Sequence, residues 1–189
     1  RYTVRPDFRF SAPEREKVDW SKRVIVMTCH RRENYGQPMR DIMEAVKAVM
    51  LAHPDIEIVY PVHLSPVVRE CAFGILGGVP GVHLIDPLNV EEMHNLMSRC
   101  YFVMTDSGGL QEEAPSLGKP VLVLRKETER PEAVAAGTVR LAGVDKGSII
   151  ALAEQLLTDE ELYRSMAHAV NPYGDGSACV RIADAIEWH

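Results

Sequence analysis

The pattern of apolar and polar residues divides most of the chain into alternating strands and helices. Short runs of β-branched and other apolar residues are typical of buried strands, whereas apolar residues at helical spacing predict amphipathic helices. The runs predict strands at residues 23–28, 56–60, 82–85, 101–105, 121–124 and 138–141. The helical spacing, with its turn and proline signals, predicts helices at about 39–53, 67–75, 89–99, 109–117, 131 onward, 148–157, 158–169 and 177–188.

This order of elements predicts an α/β fold of the Rossmann-like, three-layer type. About six strands that alternate with helices form a parallel sheet with helices on both faces. A chain of 189 residues is long enough for one such domain, which we predict to occupy residues 23–189. Ligands of these sheets bind at the carboxyl ends of the strands, near the point where the strand order reverses.

Two helices carry a sequence signal for their first residue. Asn89 is followed three residues later by Glu92, and Thr158 is followed in the same way by Glu161. This spacing is typical of a capping box, in which the first side chain accepts a hydrogen bond from the backbone of the first turn. We therefore expect Asn89 and Thr158 to cap their helices.

Residues 1–22 differ from the alternating pattern that follows. They are mixed and polar and include Pro6 and Pro13, which predicts an inter-domain linker or a segment leading into the domain. Within it, residues 11–20 could form a short helix with Ser11 as its cap.

Composition and charge exclude several classes of function. The chain is 46% apolar and 25% charged, as in ordinary globular proteins. A net charge of −6 argues against nucleic acid or an acidic membrane as partner. No apolar run approaches the roughly 20 residues that cross a bilayer, and no signal peptide is evident. The widely spaced cysteines predict reduced thiols in the cytoplasm rather than disulfides or a zinc site: Cys29, Cys71, Cys100 and Cys179.

The first residue is Arg1, so we expect the sequence to be a piece of a longer polypeptide.

The most informative segment is the predicted strand 101–105 with the turn and helix that follow it. The turn 107–109 has the sequence Ser-Gly-Gly, and Glu112 and Glu113 lie in the first part of the helix. Glycines let a phosphate approach the backbone, and the first amides of a helix point at it with the positive end of the dipole. The two carboxylates suit the hydroxyls of a sugar or ribose. The segment therefore indicates a nucleotide or nucleotide-sugar site; an ordinary βα turn with solvated glutamates is the alternative.

Three further polar clusters follow predicted strands. Residues 30–34, His-Arg-Arg-Glu-Asn, come directly after the first strand, and His63 follows the second. An imidazole beside two guanidiniums can bind phosphate and move protons near neutral pH. The charged run within 124–133 includes Arg130, which could reach a diphosphate at the glycine turn. Solvated loops with local ion pairs are the alternative for each cluster.

Several common motifs do not occur in the sequence. No GxGxxG follows the first strand and no Walker-A lysine pattern occurs, so neither a dinucleotide site nor a P-loop is indicated. No HExxH or clustered His and Cys indicates a metal, and no GxSxG elbow indicates a hydrolase of that type.

The chain resembles the C-terminal domain of the non-hydrolysing UDP-N-acetylglucosamine 2-epimerases. The central motif, Thr-Asp-Ser-Gly-Gly-Leu-Gln-Glu-Glu-Ala-Pro-Ser-Leu-Gly at 105–118, is highly specific. Supporting motifs lie at 29–34, 128–133, 136–138 and 171–176. The resemblance implies the C-terminal half of a GT-B arrangement of two Rossmann-like domains, so that the N-terminal domain is the missing partner.

The resemblance implies an enzyme that interconverts UDP-N-acetylglucosamine and UDP-N-acetylmannosamine. UDP is eliminated to leave a glycal and then re-added with the opposite configuration at C2, without NAD, metal or other cofactor. Substrate is thus a UDP-sugar, and the full-length enzyme is expected to be a cytoplasmic homodimer. The acidic residues that move the C2 proton belong to the missing domain, so we expect this chain alone to be inactive.

The resemblance also implies roles for individual residues. His30 is the catalytic residue of this domain, and the residues that bind UDP are Ser107, Gly108, Gly109, Glu113 and Arg130. Some members bind a second UDP-N-acetylglucosamine as activator, for which Arg31 and His63 are candidate contacts. Glu112 is a further candidate for this second site or for a supporting role. Cys29 departs from the family pattern, where a small residue such as glycine is expected.

Other functions stay open on sequence grounds. A hydrolysing relative would release UDP and free N-acetylmannosamine, and the residues that decide between them lie mostly in the missing domain. A GT-B glycosyltransferase would share the glycine turn and the ribose glutamate but not the 30–34 cluster. A non-catalytic nucleotide-sugar binding module is the alternative from a different class.

Overall fold

The structure contains a single sheet of six parallel strands: β1 Arg23–Thr28, β2 Ile56–Pro61, β3 Val82–Ile85, β4 Phe102–Thr105, β5 Val121–Val123 and β6 Val139–Leu141. Their order in the sheet is β3-β2-β1-β4-β5-β6. The computed structural model describes residues 3–11 and 17–187. Val26 of β1 pairs with Val59 of β2 on one side and Val103 of β4 on the other. The strand order therefore reverses between β1 and β4, which makes this the switch point of the sheet.

Helices cover both faces of the sheet, as the sequence pattern predicts. Alternate residues of β1 face opposite layers: Ile25 and Met27 pack into one core, and Val24 and Val26 into the other. The helices are α1 Gln37–Ala52, α2 Pro66–Leu76, α3 Val90–Arg99, α4 Gly108–Ser116, α5 Pro131–Ala136, α6 Lys146–Thr158, α7 Glu160–Ala167 and α8 Ala178–Glu187. Helices α1, α2, α6 and α7 contribute to the first core, and α3, α4 and α5 to the second.

One of the two predicted helix caps is confirmed and the other is wrong by one residue. The side chain of Asn89 accepts a hydrogen bond from the Glu92 amide at 2.9 Å and so caps α3. At α7 the cap is Asp159, whose carboxylate accepts from the Leu162 amide at 2.9 Å. Thr158 instead donates its hydroxyl to the Glu154 carbonyl at 2.7 Å, because it is still the last residue of α6.

The amino-terminal segment lies against α3 where it is described. The Arg5 amide donates to the Asn95 side chain at 2.8 Å, and that side chain donates to the Thr3 carbonyl at 2.7 Å. The short helix predicted at 11–20 falls largely on residues 12–16, outside the described residues. The domain boundary after residue 22 stays a prediction.

The last helix, α8, buries none of its residues against the domain. Its apolar side chains Val180, Ile182 and Ile186 are all more than half exposed, at 62%, 58% and 70%. Across residues 3–11 and 17–187, we find no helix with both the length and the apolar content that a bilayer crossing requires.

Candidate functional site

The four polar clusters meet at the carboxyl edge of the sheet, around the switch point. The loop after β1 carries His30 and the loop after β2 carries His63, and their rings stack with centroids 5.4 Å apart. The loops after β4 and β5 carry the glycine turn and Arg130. This convergence follows from the parallel topology, which puts every strand's carboxyl end at the same edge.

The glycine turn forms the amino end of α4 with its first amides unoccupied by a capping side chain. Ser107 is the N-cap residue in an extended conformation, and Gly108 is the first helical residue. Among the described residues, the Ser107 side chain makes no capping hydrogen bond. The Ser107 amide donates to the Thr105 hydroxyl at 2.9 Å. The Ser107 hydroxyl and the Gly108 and Gly109 amides therefore remain available to an anion, which the helix dipole also favours.

Two guanidinium groups flank Gly108. A methyl group placed on Gly108 would lie 3.6 Å from Nη2 of Arg31 and 3.9 Å from Nη2 of Arg130. The Glu129 carboxylate lies 3.9 Å from the same methyl position. A hydrogen bond from Arg125 lowers the pKa of Glu129. The missing side chain of Gly108 thus opens a small space between two cations at a helix amino end, which suits a phosphate.

Arg130 is held in this position by the helix that it faces. Its Nε donates to the Glu112 carboxylate, and this hydrogen bond raises the pKa of Arg130. Its backbone amide donates to the Thr128 hydroxyl at 3.1 Å, and that hydroxyl donates to the side chain of Gln111 at 2.5 Å. These hydrogen bonds connect the loop after β5 to α4. The Glu112 carboxylate is paired with Arg130 and holds that side chain in place.

Glu113 is an exposed residue of α4, one helical turn after the second glycine of the turn, Gly109. A methyl group on Gly109 would be 3.5 Å from Oε1 of Glu113. The other carboxylate oxygen accepts from Nε2 of His94 at 3.3 Å, and Nδ1 of His94 lies 2.7 Å from the Thr3 hydroxyl. His94 therefore links the amino-terminal segment to a residue predicted to bind the ribose, a role that the sequence did not reveal.

Asp106 organises the loop after β1 from beneath. It is fully buried, and its Oδ2 accepts from the backbone amides of His30 at 2.8 Å and Arg31 at 2.7 Å. The side-chain amide of Asn34 donates to the same oxygen and to the Leu124 carbonyl, both at 3.1 Å. One carboxylate therefore fixes the backbone of both residues that the sequence assigns to phosphate and proton chemistry.

His30 projects from this loop into the edge of the site. Its side chain is about one-third exposed, at 36%, and Nε2 lies 3.9 Å from Oδ1 of Asp106. The neighbouring ring of His63 accepts from the Ser65 amide at 3.0 Å through Nδ1. The two imidazoles thus form one face of the site, each held from its own loop.

A buried arginine joins the loops after β1 and β5. Arg125 donates from Nε to the Glu33 carboxylate at 2.6 Å and from Nη2 to Glu129 at 3.2 Å. Only 8% of its side chain is exposed, although it lies in a run of charges that the sequence pattern would assign to an exposed loop. Arg125 therefore acts as a bridge beneath the site.

Cys29, the departure from the expected pattern, is a buried thiol behind His30. Burial, and then the charge of Asp106, raise the pKa of Cys29 well above its ordinary value. Its carbonyl accepts from the Tyr60 hydroxyl at 2.6 Å. The residue is therefore a neutral, packed thiol.

The structure thus brings the predicted site residues to one edge but does not test their roles. Gly108 lies close to Arg31 and Arg130, Gly109 close to Glu113, and His30 against His63. The sequence analysis did not identify Asp106 and His94 as residues that hold the site together. For Asp106 the sequence did carry a signal, a charged residue directly after a buried strand and directly before Ser107. The roles of these residues stay predictions.

Comparison with known proteins agrees with the resemblance seen in the sequence. Residues 5–187 match the family model described as UDP-N-acetylglucosamine 2-epimerase. The UDP-N-acetylglucosamine 2-epimerase of Bacillus subtilis is 52% identical over 180 residues, which are 95% of this chain and 47% of that protein. The chain spans about half the length of the curated relatives that it matches.

Solved structures give the same result. The co-structure of S. aureus MnaA with UDP has a TM-score of 0.91 and 47% identity, covering 99% of this chain and 50% of that one. The Neisseria meningitidis UDP-GlcNAc 2-epimerase bound to UDP-GlcNAc has a TM-score of 0.85 and 44% identity, covering 91% and 46%. By sequence and by fold, the chain belongs to the UDP-N-acetylglucosamine 2-epimerase family.

Proposed function

We propose that this chain is the UDP-binding half of an enzyme that interconverts UDP-N-acetylglucosamine and UDP-N-acetylmannosamine. The observation that carries the proposal is the space at Gly108, which lies between the guanidiniums of Arg31 and Arg130 at the amino end of α4. A solved relative binds UDP and another binds UDP-GlcNAc. Because the chain is about half the length of its relatives, a second domain forms the other wall of the site.

In this proposal the nucleotide lies along the glycine turn. The Ser107 hydroxyl and the amides of Gly108 and Gly109 hold the diphosphate, and Arg130 neutralises its charge. Glu113 accepts hydrogen bonds from the ribose hydroxyls, because it is an exposed carboxylate one helical turn after Gly109 and close to it. Glu112 keeps Arg130 in place.

The reaction that we propose is an elimination followed by an addition. A base removes the proton from C2 as the bond between C1 and the β-phosphate oxygen breaks, which gives UDP and a glycal. UDP then re-forms the C1–O bond while a proton returns to C2 from the opposite face. His30 lies near the diphosphate and can transfer a proton at the leaving oxygen, and the groups that act at C2 belong to the other domain.

The test is the reaction of the complete enzyme with UDP-N-acetylglucosamine in heavy water. We expect UDP-N-acetylmannosamine that carries one deuterium at C2, with UDP and free sugar absent as net products. Accumulation of UDP and free N-acetylmannosamine would identify a hydrolysing enzyme instead. Epimerised product without deuterium would contradict proton removal at C2, and binding of UDP without any turnover would favour a binding module.

A further inference from the structure

The two oxygens of the Asp106 carboxylate have very different surroundings. Oδ2 accepts three N–H groups, from the His30 and Arg31 backbones and the Asn34 side chain. Oδ1 is buried and has no hydrogen-bond partner among the described residues. A buried polar atom without a partner destabilises the folded protein, because it has lost its hydrogen bonds to water. We therefore expect Oδ1 to gain a hydrogen-bond donor, either from a bound ligand or from a nearby side chain that changes position.

The imidazole of His30 is placed to become that partner. Its Nε2 lies 3.9 Å from Oδ1, about 1 Å beyond hydrogen-bond distance. The backbone of His30 is already fixed by Oδ2, so a small rotation of the side chain closes the gap. Hydrogen bonds at such sites are often long without ligand and tighten when it binds. Burial, then the charge of Asp106 and a hydrogen bond with it, raise the pKa of the nearby Cys29 thiol. The thiol is therefore protonated, but S–H is only a weak donor, and a ring N–H is the stronger partner for the carboxylate.

We propose that Asp106 is a positioning residue that holds His30 in the tautomer with its proton on Nε2. Oδ1 is an acceptor, so it selects an N–H at the ring nitrogen that it faces. The lone pair is then left on Nδ1, which becomes the nitrogen that exchanges a proton with the reacting oxygen. This step rests on the proposed function of His30, but the tautomer itself can be observed without any turnover.

Holding the loop after β1 in place does not by itself require a carboxylate at position 106. Three N–H donors converge on one oxygen, which an asparagine carbonyl could supply equally well. The second oxygen distinguishes the two residues, because asparagine would present an N–H₂ donor to Nε2 where aspartate presents an acceptor. Asp106→Asn should therefore keep the loop and reverse the tautomer, with the proton moved to Nδ1. A corresponding change in a serine-protease triad preserves geometry and lowers kcat by about 10⁴ because the tautomer is wrong.

The experiment is ¹⁵N NMR of the imidazole nitrogens in the wild-type protein and the Asp106→Asn variant. Spectra are recorded near pH 8.5 with UDP present, and His30 is assigned by loss of its signals in His30→Gln. A neutral His30 ring with its proton on Nε2 and a bare Nδ1 supports the proposal; if the wild-type ring is still doubly protonated at pH 8.5, the pH is raised until it is neutral and the same criterion applies. A bare Nε2 overturns it, whether or not the variant folds, and the proposed epimerase function would still stand.

Two controls separate tautomer selection from loop structure. Cys29→Ala removes the thiol beside Asp106 and should leave the His30 signals as in wild type. In the complete enzyme, Asp106→Asn should lower kcat by roughly a hundredfold or more while UDP affinity stays within about threefold. A variant with wild-type kcat, or one whose His30 tautomer is unchanged, would show that Asp106 only supports the loop.

Discussion

Replacing Gly108 with alanine should weaken the binding of UDP without harming the fold. The backbone of Gly108 is not among those with positive φ, so alanine fits its conformation. The added methyl would meet Arg31 at 3.6 Å and Arg130 at 3.9 Å, which are ordinary van der Waals distances. Alanine is also the better helix former, by up to about 1 kcal/mol in a helix interior. We therefore expect the free energy of unfolding to stay equal or rise slightly.

The same methyl occupies the space in which a phosphate oxygen would lie against the α4 amides. Losing one charge-assisted hydrogen bond costs roughly 1.5–3 kcal/mol, so the Kd for UDP should rise at least about tenfold. Uridine has no phosphate and should bind the variant as it binds the wild type. Isothermal titration calorimetry with UDP and with uridine measures both effects.

Gly74→Ala provides a matched control. Gly74 lies in α2, and a methyl group there would contact nothing within 4 Å. This variant should gain stability in a similar way and keep its UDP affinity. If Gly108→Ala also binds UDP as tightly as wild type, the diphosphate does not lie at the amino end of α4.

Four further predictions test other parts of the account. Glu113→Gln should weaken UDP binding by roughly tenfold but leave 2′,3′-dideoxy-UDP binding unchanged, because only the ribose hydroxyls need the carboxylate; equal losses for both ligands would remove Glu113 from the ribose site. His30→Ala in the complete enzyme should lower turnover by about a hundredfold or more with UDP affinity kept; turnover within about threefold of wild type would make His30 structural. This chain alone should catalyse no C2 deuterium uptake in heavy water, and uptake above a no-protein control would place the proton-moving groups on it. Iodoacetamide at pH 8 should modify the exposed Cys179 and spare Cys29 and Cys100, because burial raises the pKa of Cys100 to about 12; mass spectrometry that finds Cys100 modified in the folded protein would contradict this.

The sequence was sufficient to predict the six strands and their parallel arrangement. Buried runs such as Arg23–Thr28 and the helical spacing of α1 leave little choice of element or order. The cap of α7 was wrong by one residue, because Thr158 and Asp159 are both good capping residues and local pattern does not separate them.

The convergence of the site could also be predicted, since parallel strands bring their carboxyl ends together. The hydrogen bonds that hold the loops of the site together could not be predicted. The bonds of Asp106 to the loop after β1 join residues more than 70 positions apart, and no local pattern records them. The burial of Arg125 depends in the same way on Glu33 from a distant loop.

The central claim is that UDP binds at the carboxyl edge with its diphosphate on the glycine turn. A titration of ¹⁵N-labelled protein with UDP, followed by amide chemical shifts, tests it most directly. The account predicts saturable shifts at the Ser107, Gly108 and Gly109 amides, with the Gly118 amide at the far end of α4 unmoved. Absence of saturable shifts at the turn, or shifts centred on Gly118 instead, would contradict it.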